Sequence, residues 1–287
     1  MVARSLTSQL DFLVVGAPKA GTTWCQDFFA ANSEFFVPEA KETFFFDRHF
    51  ERGFSWYEGH FAKAEADQFR GEVCHDYMYS NEALDRINDQ FDTSLSVIVV
   101  LREPVARSTS HLRYSHQLGN VKTLDTAALE VNPKIVELSR YDQYLPAIIE
   151  RFGDRLSVLF FEHLRADASA FARSLTTAAS GRKSSGDLLV IPERSNPSGR
   201  ARSASLVRAG VRSAQVLDRV GARDVLGRIK RSPLRRALFD TTSRLNPRPE
   251  VLDFFEGELA DSRTRTLDQL RGAGLVTTAH IPTEWLK

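Results

Sequence analysis

Short apolar runs alternate with helical patterns along the first two thirds of the chain, and this alternation predicts an α/β fold. Both faces of the apolar runs are hydrophobic, which is typical of buried parallel strands. The predicted strands are Phe12–Val15, Leu95–Leu101 and Leu156–Phe161, with Gly71–Cys74 as a weaker candidate. The predicted helices are Gly21–Ala31, Glu82–Gln90, Pro104–Leu118, Tyr141–Phe152 and Ala168–Ala179. We therefore expect a P-loop-like three-layer fold, with a central parallel sheet flanked by helices.

The pattern changes after the last of these helices. Ser180–Ser203 is rich in Gly, Ser and Arg and is typical of a long surface loop. Two mostly helical stretches follow, near Ala204–Leu238 and Pro249–Gly272. We expect a single domain over residues 1–287, with a core of about 8–200 and a basic, mostly helical C-terminal part of about 201–287. A separate second domain is the alternative.

Composition indicates an ordinary globular protein, with 42% hydrophobic and 26% charged residues. The formal net charge of +1 gives no general attraction to nucleic acid. The sequence has no apolar run long enough for a transmembrane helix, and its start lacks the apolar core of a signal peptide. Two cysteines are too few for a disulfide framework. These features predict a cytoplasmic protein.

Basic residues are concentrated in one segment, Arg194–Arg236, which contains twelve Arg or Lys and two acidic residues. One interpretation is a solvated basic helical surface. The other is a contact with an anionic cofactor, an anionic substrate or a membrane surface, the last giving a peripheral membrane contact. The composition alone leaves both open.

The first predicted strand enters a glycine-containing loop, in the stretch DFLVVGAPKAGTTW. Gly16 and Gly21 allow a tight turn, and the N–H groups of the following helix favour an anion. Nucleotide triphosphatases place a lysine directly after the second glycine, whereas here Thr22 holds that position and Lys19 lies inside the loop. A tight strand-to-helix turn without a ligand is the alternative, but the loop composition favours anion binding.

A second candidate site follows the strand at Leu95–Leu101, in the stretch VIVVLREPVARSTSH. Triphosphatases need an acid at the corresponding place to hold magnesium, but this strand ends in Arg102. The next helix places four polar residues on one face, which we expect to be exposed: Arg107, Ser110, His111 and Tyr114. Arg102 and Ser110 would bind a second phosphate. The histidine spacing shows no metal pattern, so we expect no metal.

Together these two stretches resemble the two cofactor motifs of sulfotransferases that use 3′-phosphoadenosine 5′-phosphosulfate (PAPS), especially the bacterial carbohydrate-type and heparan sulfate enzymes. The resemblance implies PAPS as sulfuryl donor, with no metal required for transfer. Its 5′ end would be held by Lys19, Ala20, Gly21, Thr22, Thr23 and Trp24. Its 3′-phosphate would be held by Arg102, Ser110 and, from the stretch NPSGRARS, Arg202.

The stretch KETFFF contains the candidate base, Glu42. A carboxylate beside aromatic rings can have its pKa raised toward the range useful for proton abstraction. A surface carboxylate over a core segment is the alternative. The stretch is similar to the K-E-x-x-F-F segment of carbohydrate sulfotransferases, and this resemblance implies Glu42 as catalytic base. Lys19 would stabilise the leaving group.

A third stretch, GEVCHDYMYS, resembles the G-E-x-S-P-x-Y segment of the same enzymes, with Glu72 and Tyr77 matching. His75 stands where proline is common, and Val73 stands where the heparan 3-O-sulfotransferases have a catalytic lysine. The second departure argues against heparan specificity. His75 and Asp76 are candidates for acid–base work and, equally, for capping or packing.

The resulting hypothesis is an enzyme that transfers a sulfuryl group from PAPS to a hydroxyl, or as a second choice to an amine, by in-line displacement. The acceptor would be a small molecule, a carbohydrate-bearing or lipid-linked compound such as a glycolipid, or a secondary metabolite. Two alternatives remain: a P-loop nucleotide kinase or triphosphatase that needs Mg²⁺, and a non-catalytic basic protein that binds a partner or membrane. The sequence predicts neither the acceptor nor the oligomeric state.

Overall fold

The computed structural model describes residues 10–91, 94–181, 190–192 and 246–287, together with the backbone of 200–201 and 239–240. The chain divides into two compact units. Unit 1 comprises Met1–Glu103, Tyr141–Ser195 and Arg263–Lys287, and unit 2 comprises Pro104–Arg140 and Asn196–Ser262. The single domain expected from the sequence stays a prediction.

Unit 1 is built on a sheet of five parallel strands, in the order β2-β3-β1-β4-β5. The strands are β1 (Phe12–Gly16), β2 (Phe35–Phe36), β3 (Phe69–Val73), β4 (Ser96–Leu101) and β5 (Leu156–Phe160). β1 and β4 are apolar on both faces because both faces are buried. Helices flank the sheet, so the predicted three-layer α/β fold is confirmed.

The helices lie close to their predicted positions. In chain order they are α1 (Thr22–Ala31), α2 (Phe45–Arg48), α3 (Phe54–Gly59), α4 (Asn81–Gln90), α5 (Pro104–Gln117), α6 (Ala127–Val131), α7 (Lys134–Glu137), α8 (Leu145–Phe152), α9 (Phe161–Ala166), α10 (Ala168–Ser180) and α11 (Pro249–Gly272). Short 3-10 turns occur at Phe50–Arg52, Tyr77–Tyr79, Tyr141–Gln143, Gly153–Arg155, Thr278–His280 and Thr283–Leu286. The sequence did not predict β2, α2, α3, α6, α7 or α9, because elements of two to six residues are too short to show a period. None of the helices in the described residues is long and apolar enough to cross a membrane.

Each unit has its own apolar core. The core of unit 1 is rich in phenylalanine and packs on the sheet, with Phe12, Phe28 and Phe29 fully buried. The core of unit 2 is smaller and is centred on Leu112, Ile135 and Phe255. Unit 2 also contains a short antiparallel pair, β6 (Arg200–Ala201) with β7 (Phe239–Asp240). The basic segment 194–236 and the predicted helix near 204–238 otherwise lie outside the described residues.

The strand order positions the candidate site. β1 lies between β3 and β4, and all three strands run parallel. From β1 the chain builds the sheet first on the β3 side and then on the β4 side, so the direction of building reverses at β1. In open α/β sheets, ligands bind outside the carboxyl ends of the strands at such a reversal. The loops that follow β1, β3 and β4 therefore share the edge where a ligand is expected.

Candidate active site

The loop after β1, residues 16–21, is termed the phosphate loop. Two positions in this loop favour glycine for different reasons. A Cβ on Gly16 would lie only 2.1 Å from Met78 Sδ, and Gly21 has φ 91°, in the left-handed region. The first backbone hydrogen bond of α1 runs from Cys25 N–H to the Gly21 carbonyl oxygen. The N–H groups of the first turn have no earlier helical carbonyl to bind, so they are available to an anion. The predicted strand–loop–helix is present, and anion binding stays a prediction.

The predicted donor-binding residues of this region differ in exposure. Ala20 and Thr22 are buried, whereas Lys19 and Thr23 are partly exposed. The indole of Trp24 packs against Phe28 and Phe171, and its Nε1–H donates to the Pro192 carbonyl. The side chain of Trp24 therefore belongs to the core, which leaves its backbone N–H as the group available to a ligand.

Arg102 follows β4 directly and reaches the phosphate loop. Its Nη1 donates to the Lys19 carbonyl oxygen at 3.1 Å, and its guanidinium lies 4.6 Å above the Phe161 ring. Tyr141 fixes the backbone here, because its hydroxyl donates to the Arg102 carbonyl at 3.0 Å. The structure thus brings Arg102 against the loop that carries Lys19, whereas the sequence assigned the two residues to separate phosphate sites. The contribution of Tyr141 was missed, since no motif marks it.

The expectation that the polar face of α5 is exposed is wrong for Arg107. This side chain is fully buried in unit 2, where Nε donates to Ser139 Oγ at 2.6 Å and Nη2 donates to the Ile135 carbonyl at 3.0 Å. Burial is tolerated because the guanidinium forms hydrogen bonds with α7 and with the residue Ser139 that follows it. Ser110 lies on α5 in unit 2, partly exposed, and its joint action with Arg102 stays a prediction. Arg202 lies outside the described residues.

Residues 41–44 are termed the base loop and lie at the carboxyl end of β3. The Glu42 N–H donates to the Val73 carbonyl at 3.1 Å, and Glu42 adopts φ 69°. Its Oε1 accepts from Lys41 Nζ and lies 2.9 Å from His75 Nε2. Lys19 also has φ 69°, so both predicted catalytic residues adopt a left-handed conformation that non-glycine residues rarely take.

The pKa of Glu42 differs from the sequence expectation. Burial alone would raise this pKa, but the adjacent His75 and Lys41 hold it well below its usual range. The aromatic rings next to it in sequence do not govern it, because Phe45 and Phe46 turn into the core. The carboxyl group is therefore ionised and ready to accept a proton, although its two cationic partners make it a weak base.

A buried carboxylate, Glu72, holds the base loop in place. Its Oε1 accepts from both the N–H and the hydroxyl of Thr43, at 2.8 and 2.7 Å, and its Oε2 accepts from the Tyr57 hydroxyl at 2.9 Å. The Tyr77 hydroxyl lies 3.3 Å from both oxygens. Burial raises the pKa of Glu72 although these hydrogen bonds oppose the shift. Glu72 therefore positions the residue next to Glu42 and is itself sealed from solvent.

His75 and Asp76 extend from Glu42 toward the surface. His75 Nδ1 lies 2.7 Å from Asp76 Oδ1, and Asp76 Oδ2 accepts from the half-exposed Arg48. Burial alone would lower the pKa of His75, but Glu42 and Asp76 raise it overall. His75 thus touches carboxylates on both sides. Its signal in the sequence was the departure from the proline found in the resembled enzymes.

No group of His, Cys, Asp or Glu side chains able to hold a metal ion is found in the residues that the structure describes.

The sulfotransferase domain family matches residues 9–174, more than half of the chain, and the chain belongs to this family of transferases. A heparan sulfate glucosamine 3-O-sulfotransferase 6 of Mus musculus is 30% identical over 151 residues, which are 47% of this chain and 43% of that protein. The membrane-associated sulfotransferase kil1 of Dictyostelium discoideum is 27% identical over 110 residues, 37% of this chain and 23% of that protein. The matches therefore span less than half the length of these relatives.

A solved structure supports the fold independently. The crystal structure of a sulfotransferase from Alicyclobacillus acidocaldarius aligns with a TM-score of 0.60 over 100% of both chains, at 16% sequence identity. At that identity the likeness concerns the fold alone.

Proposed function

We propose that this chain transfers a sulfuryl group from PAPS to a hydroxyl, or as a second choice an amine, of a carbohydrate-bearing, lipid-linked or secondary-metabolite acceptor. The observation that carries the proposal is the hydrogen bond from Arg102 Nη1 to the Lys19 carbonyl, at 3.1 Å. It joins the strand-end arginine to the loop that carries the lysine. The family to which the chain belongs is the second support.

The residues at this edge fit a donor with two separated anionic groups. The N–H groups at the start of α1 and the partly exposed Lys19 suit the 5′-phosphosulfate. Arg102 suits a phosphate because its planar guanidinium can bind two oxygens, and its stacking on Phe161 orients it. Ser110 and Arg202, which the resemblance assigns to the 3′-phosphate, stay part of the proposal on that ground alone. No acid follows β4 directly where a triphosphatase would hold Mg²⁺, since Arg102 takes that position.

The proposed chemistry requires charge stabilisation and the removal of one proton. PAPS, when bound, supplies the sulfuryl group and a phosphate leaving group. Lys19 would stabilise the negative charge that develops on the leaving oxygen. Glu42 would remove the acceptor's proton, since its carboxyl group is ionised and lies at the carboxyl end of the neighbouring strand β3.

The acceptor is proposed only as a class. Half-buried aromatic side chains lie at the end of the base loop and after it, including Phe44, Phe50, Phe54 and Trp56. Rings of this kind stack on sugars or hold acyl chains. Because Val73 replaces the lysine of the heparan enzymes that the sequence resembles, we do not propose heparan sulfate as the acceptor.

Calorimetric binding of adenosine 3′,5′-bisphosphate, the desulfated product, tests the donor site. We expect binding with a dissociation constant of about 1 μM or lower, unchanged by EDTA. Lys19→Ala and Arg102→Ala should each weaken it by about tenfold or more, because each removes a charge-assisted contact. Arg113→Ala, which changes a partly exposed arginine in unit 2, is the matched control and should leave the affinity unchanged.

ADP and ATP, each with and without Mg²⁺, are the competing ligands. If ATP with Mg²⁺ binds and the bisphosphate does not, the chain is a nucleotide kinase or triphosphatase and the proposal fails. If none of them binds, a non-catalytic role takes its place. Once the bisphosphate binds, sulfur-labelled PAPS can be screened against pools of sugars, glycolipids and phenols to identify the acceptor.

A further inference from the structure

The contacts of His75 have a consequence for proton transfer. Nε2 lies 2.9 Å from Glu42 Oε1, and Nδ1 lies 2.7 Å from Asp76 Oδ1. A neutral imidazole carries one N–H, whereas an ionised carboxylate only accepts hydrogen bonds. With both carboxylates ionised, the two contacts can be hydrogen bonds at the same time only if both ring nitrogens carry hydrogen. A neutral imidazole with two ionised carboxylates is one proton short of this state.

We propose that His75, oriented by Asp76, is a positioning residue that receives from Glu42 the proton removed from the acceptor. This inference rests on the proposed function and extends it to a residue that the sequence left undecided. In the working state His75 is neutral, Nδ1 keeps its hydrogen toward Asp76, and the Nε2 lone pair faces Glu42 Oε1.

The geometry indicates which nitrogen keeps its hydrogen when His75 is neutral. Asp76 Oδ1 is the closer oxygen, and charge-assisted hydrogen bonds are shorter and stronger than neutral ones. Glu42 Oε1 has a second donor in Lys41, so it stays hydrogen-bonded when Nε2 loses its hydrogen. Arg48 keeps Asp76 ionised from the other side. All three contacts favour hydrogen on Nδ1.

The proton then has a complete path. The acceptor oxygen forms its bond to sulfur as the bond from sulfur to the leaving phosphate oxygen breaks, and the phosphate takes that electron pair. The acceptor's proton passes to the Glu42 carboxylate and from there to Nε2. The product state is an imidazolium between two carboxylates, which is the charge arrangement that opposite charges favour.

The relay also explains how a carboxyl group with a lowered pKa can act as the base. Glu42 alone would return the proton, since its partners favour the ionised form. When His75 is neutral, Glu42 has lost one of its two cationic partners, and its carboxylate becomes more basic. The charged groups around His75 form a chain of ion pairs: His75 contacts Glu42 and Asp76, Glu42 pairs with Lys41, Asp76 pairs with Arg48, and Arg48 pairs in turn with Asp47.

The pH dependence has a defined sign. Because the pKa of His75 is raised, the imidazole stays doubly protonated to a higher pH than an ordinary histidine. The neutral form that can accept a proton accumulates only as the pH rises through that pKa. Sulfuryl transfer should therefore increase with pH over the range in which His75 titrates.

NMR of the full chain labelled with ¹⁵N-histidine tests the proposal without donor or acceptor. Spectra are recorded between about pH 5 and about pH 10, where histidines titrate. The His75 signals are assigned by their loss in His75→Gln, with His75→Asn as a second variant should the first misfold. We expect His75 to titrate within this range, with hydrogen on Nδ1 in the neutral form.

Glu42→Gln and Asp76→Asn should each shift the His75 titration to lower pH, because each removes an anion that stabilises the imidazolium. Glu82→Gln, which changes an exposed carboxylate on α4, should not shift it. Three results overturn the inference: hydrogen on Nε2 in the neutral form, an imidazolium that persists to the highest pH, or a titration unchanged by Glu42→Gln. Failure of bisphosphate binding would instead concern the proposed function, and the two tests are read separately.

Discussion

The phosphate loop and the base loop occupy neighbouring strand ends and are held in different ways. Each carries a non-glycine residue with φ 69°, Lys19 in one loop and Glu42 in the other. The phosphate loop is shaped mainly by its backbone, between the end of β1 and the start of α1, with Gly21 in a conformation that suits glycine and one side-chain hydrogen bond from Arg102. The base loop contains no glycine and is held at the end of β3 by the Glu72 side chain, together with one backbone hydrogen bond to the Val73 carbonyl.

This difference determines how each loop should respond to substitution. A loop held by backbone geometry tolerates changes of its exposed side chains but not of its glycines. A loop held by a buried carboxylate fails when that carboxylate is lost, because several donors are then left without an acceptor. Binding of the donor should therefore depend on the first loop, and proton removal on the second.

The largest expected effect is on catalysis. Glu42→Gln should lower the turnover rate by about 10² to 10⁴-fold, the usual contribution of a general base. The amide keeps the size of the side chain but cannot accept the acceptor's proton. Turnover is measured with labelled PAPS and the acceptor found in the screen, and bisphosphate affinity is measured on the same protein.

We expect the bisphosphate affinity of Glu42→Gln to stay unchanged, because Glu42 lies in the base loop and not in the phosphate loop. Glu58→Gln, on the partly exposed face of α3, serves as the control and should keep full turnover. Equal loss of turnover and of bisphosphate affinity in Glu42→Gln would show that the two loops are not separable.

The next effect is on stability. Glu72→Ala should lower the free energy of unfolding by about 3 kcal/mol, since it leaves buried Thr43 and Tyr57 donors without their acceptor. Glu72→Gln should cost less, because the amide oxygen still accepts a hydrogen bond. Urea unfolding measures both variants, and Glu82→Gln is the exposed control. A loss under about 0.5 kcal/mol in Glu72→Ala, the size of an ordinary surface change, would mean that Glu72 does not hold the base loop.

Local sequence patterns were sufficient for the phosphate loop. β1, the loop and α1 fall within a single stretch of chain, so periodicity and glycine spacing predicted all three. β4 and the position of Arg102 were equally accessible, because an apolar run with a charged residue at its end is a local signal. The sheet was predictable for the same reason, apart from the two-residue strand β2.

The base loop shows where local patterns fail. Glu72 and Thr43 are 29 positions apart, and nothing in either stretch predicts that one accepts from the other. The pKa of Glu42 was misjudged because Lys41 and His75, rather than neighbouring phenylalanines, surround the carboxylate. Arg107 was placed on an exposed face because helical spacing carries no information on the chain that covers it. Apart from the contact between the adjacent residues Lys41 and Glu42, these errors concern polar contacts that folding forms between distant parts of the sequence.

The smallest expected effect concerns the backbone conformation of Gly21 in the phosphate loop. Gly21→Ala should destabilise unit 1 by about 1 to 2 kcal/mol, the cost of a left-handed conformation for a residue with a Cβ. The new Cβ would also lie 2.9 Å from Phe161 Cδ2, on the ring that supports Arg102, so bisphosphate affinity should fall as well.

Gly257→Ala is the matched control, because Gly257 lies exposed within α11 and its new Cβ would meet nothing within 4 Å. This variant should raise the free energy of unfolding by about 0.5 to 1 kcal/mol. Urea unfolding and calorimetry measure both variants. If Gly21→Ala were as stable as Gly257→Ala and bound the bisphosphate normally, the phosphate loop would not depend on its glycine, and the contrast between the two loops would be lost.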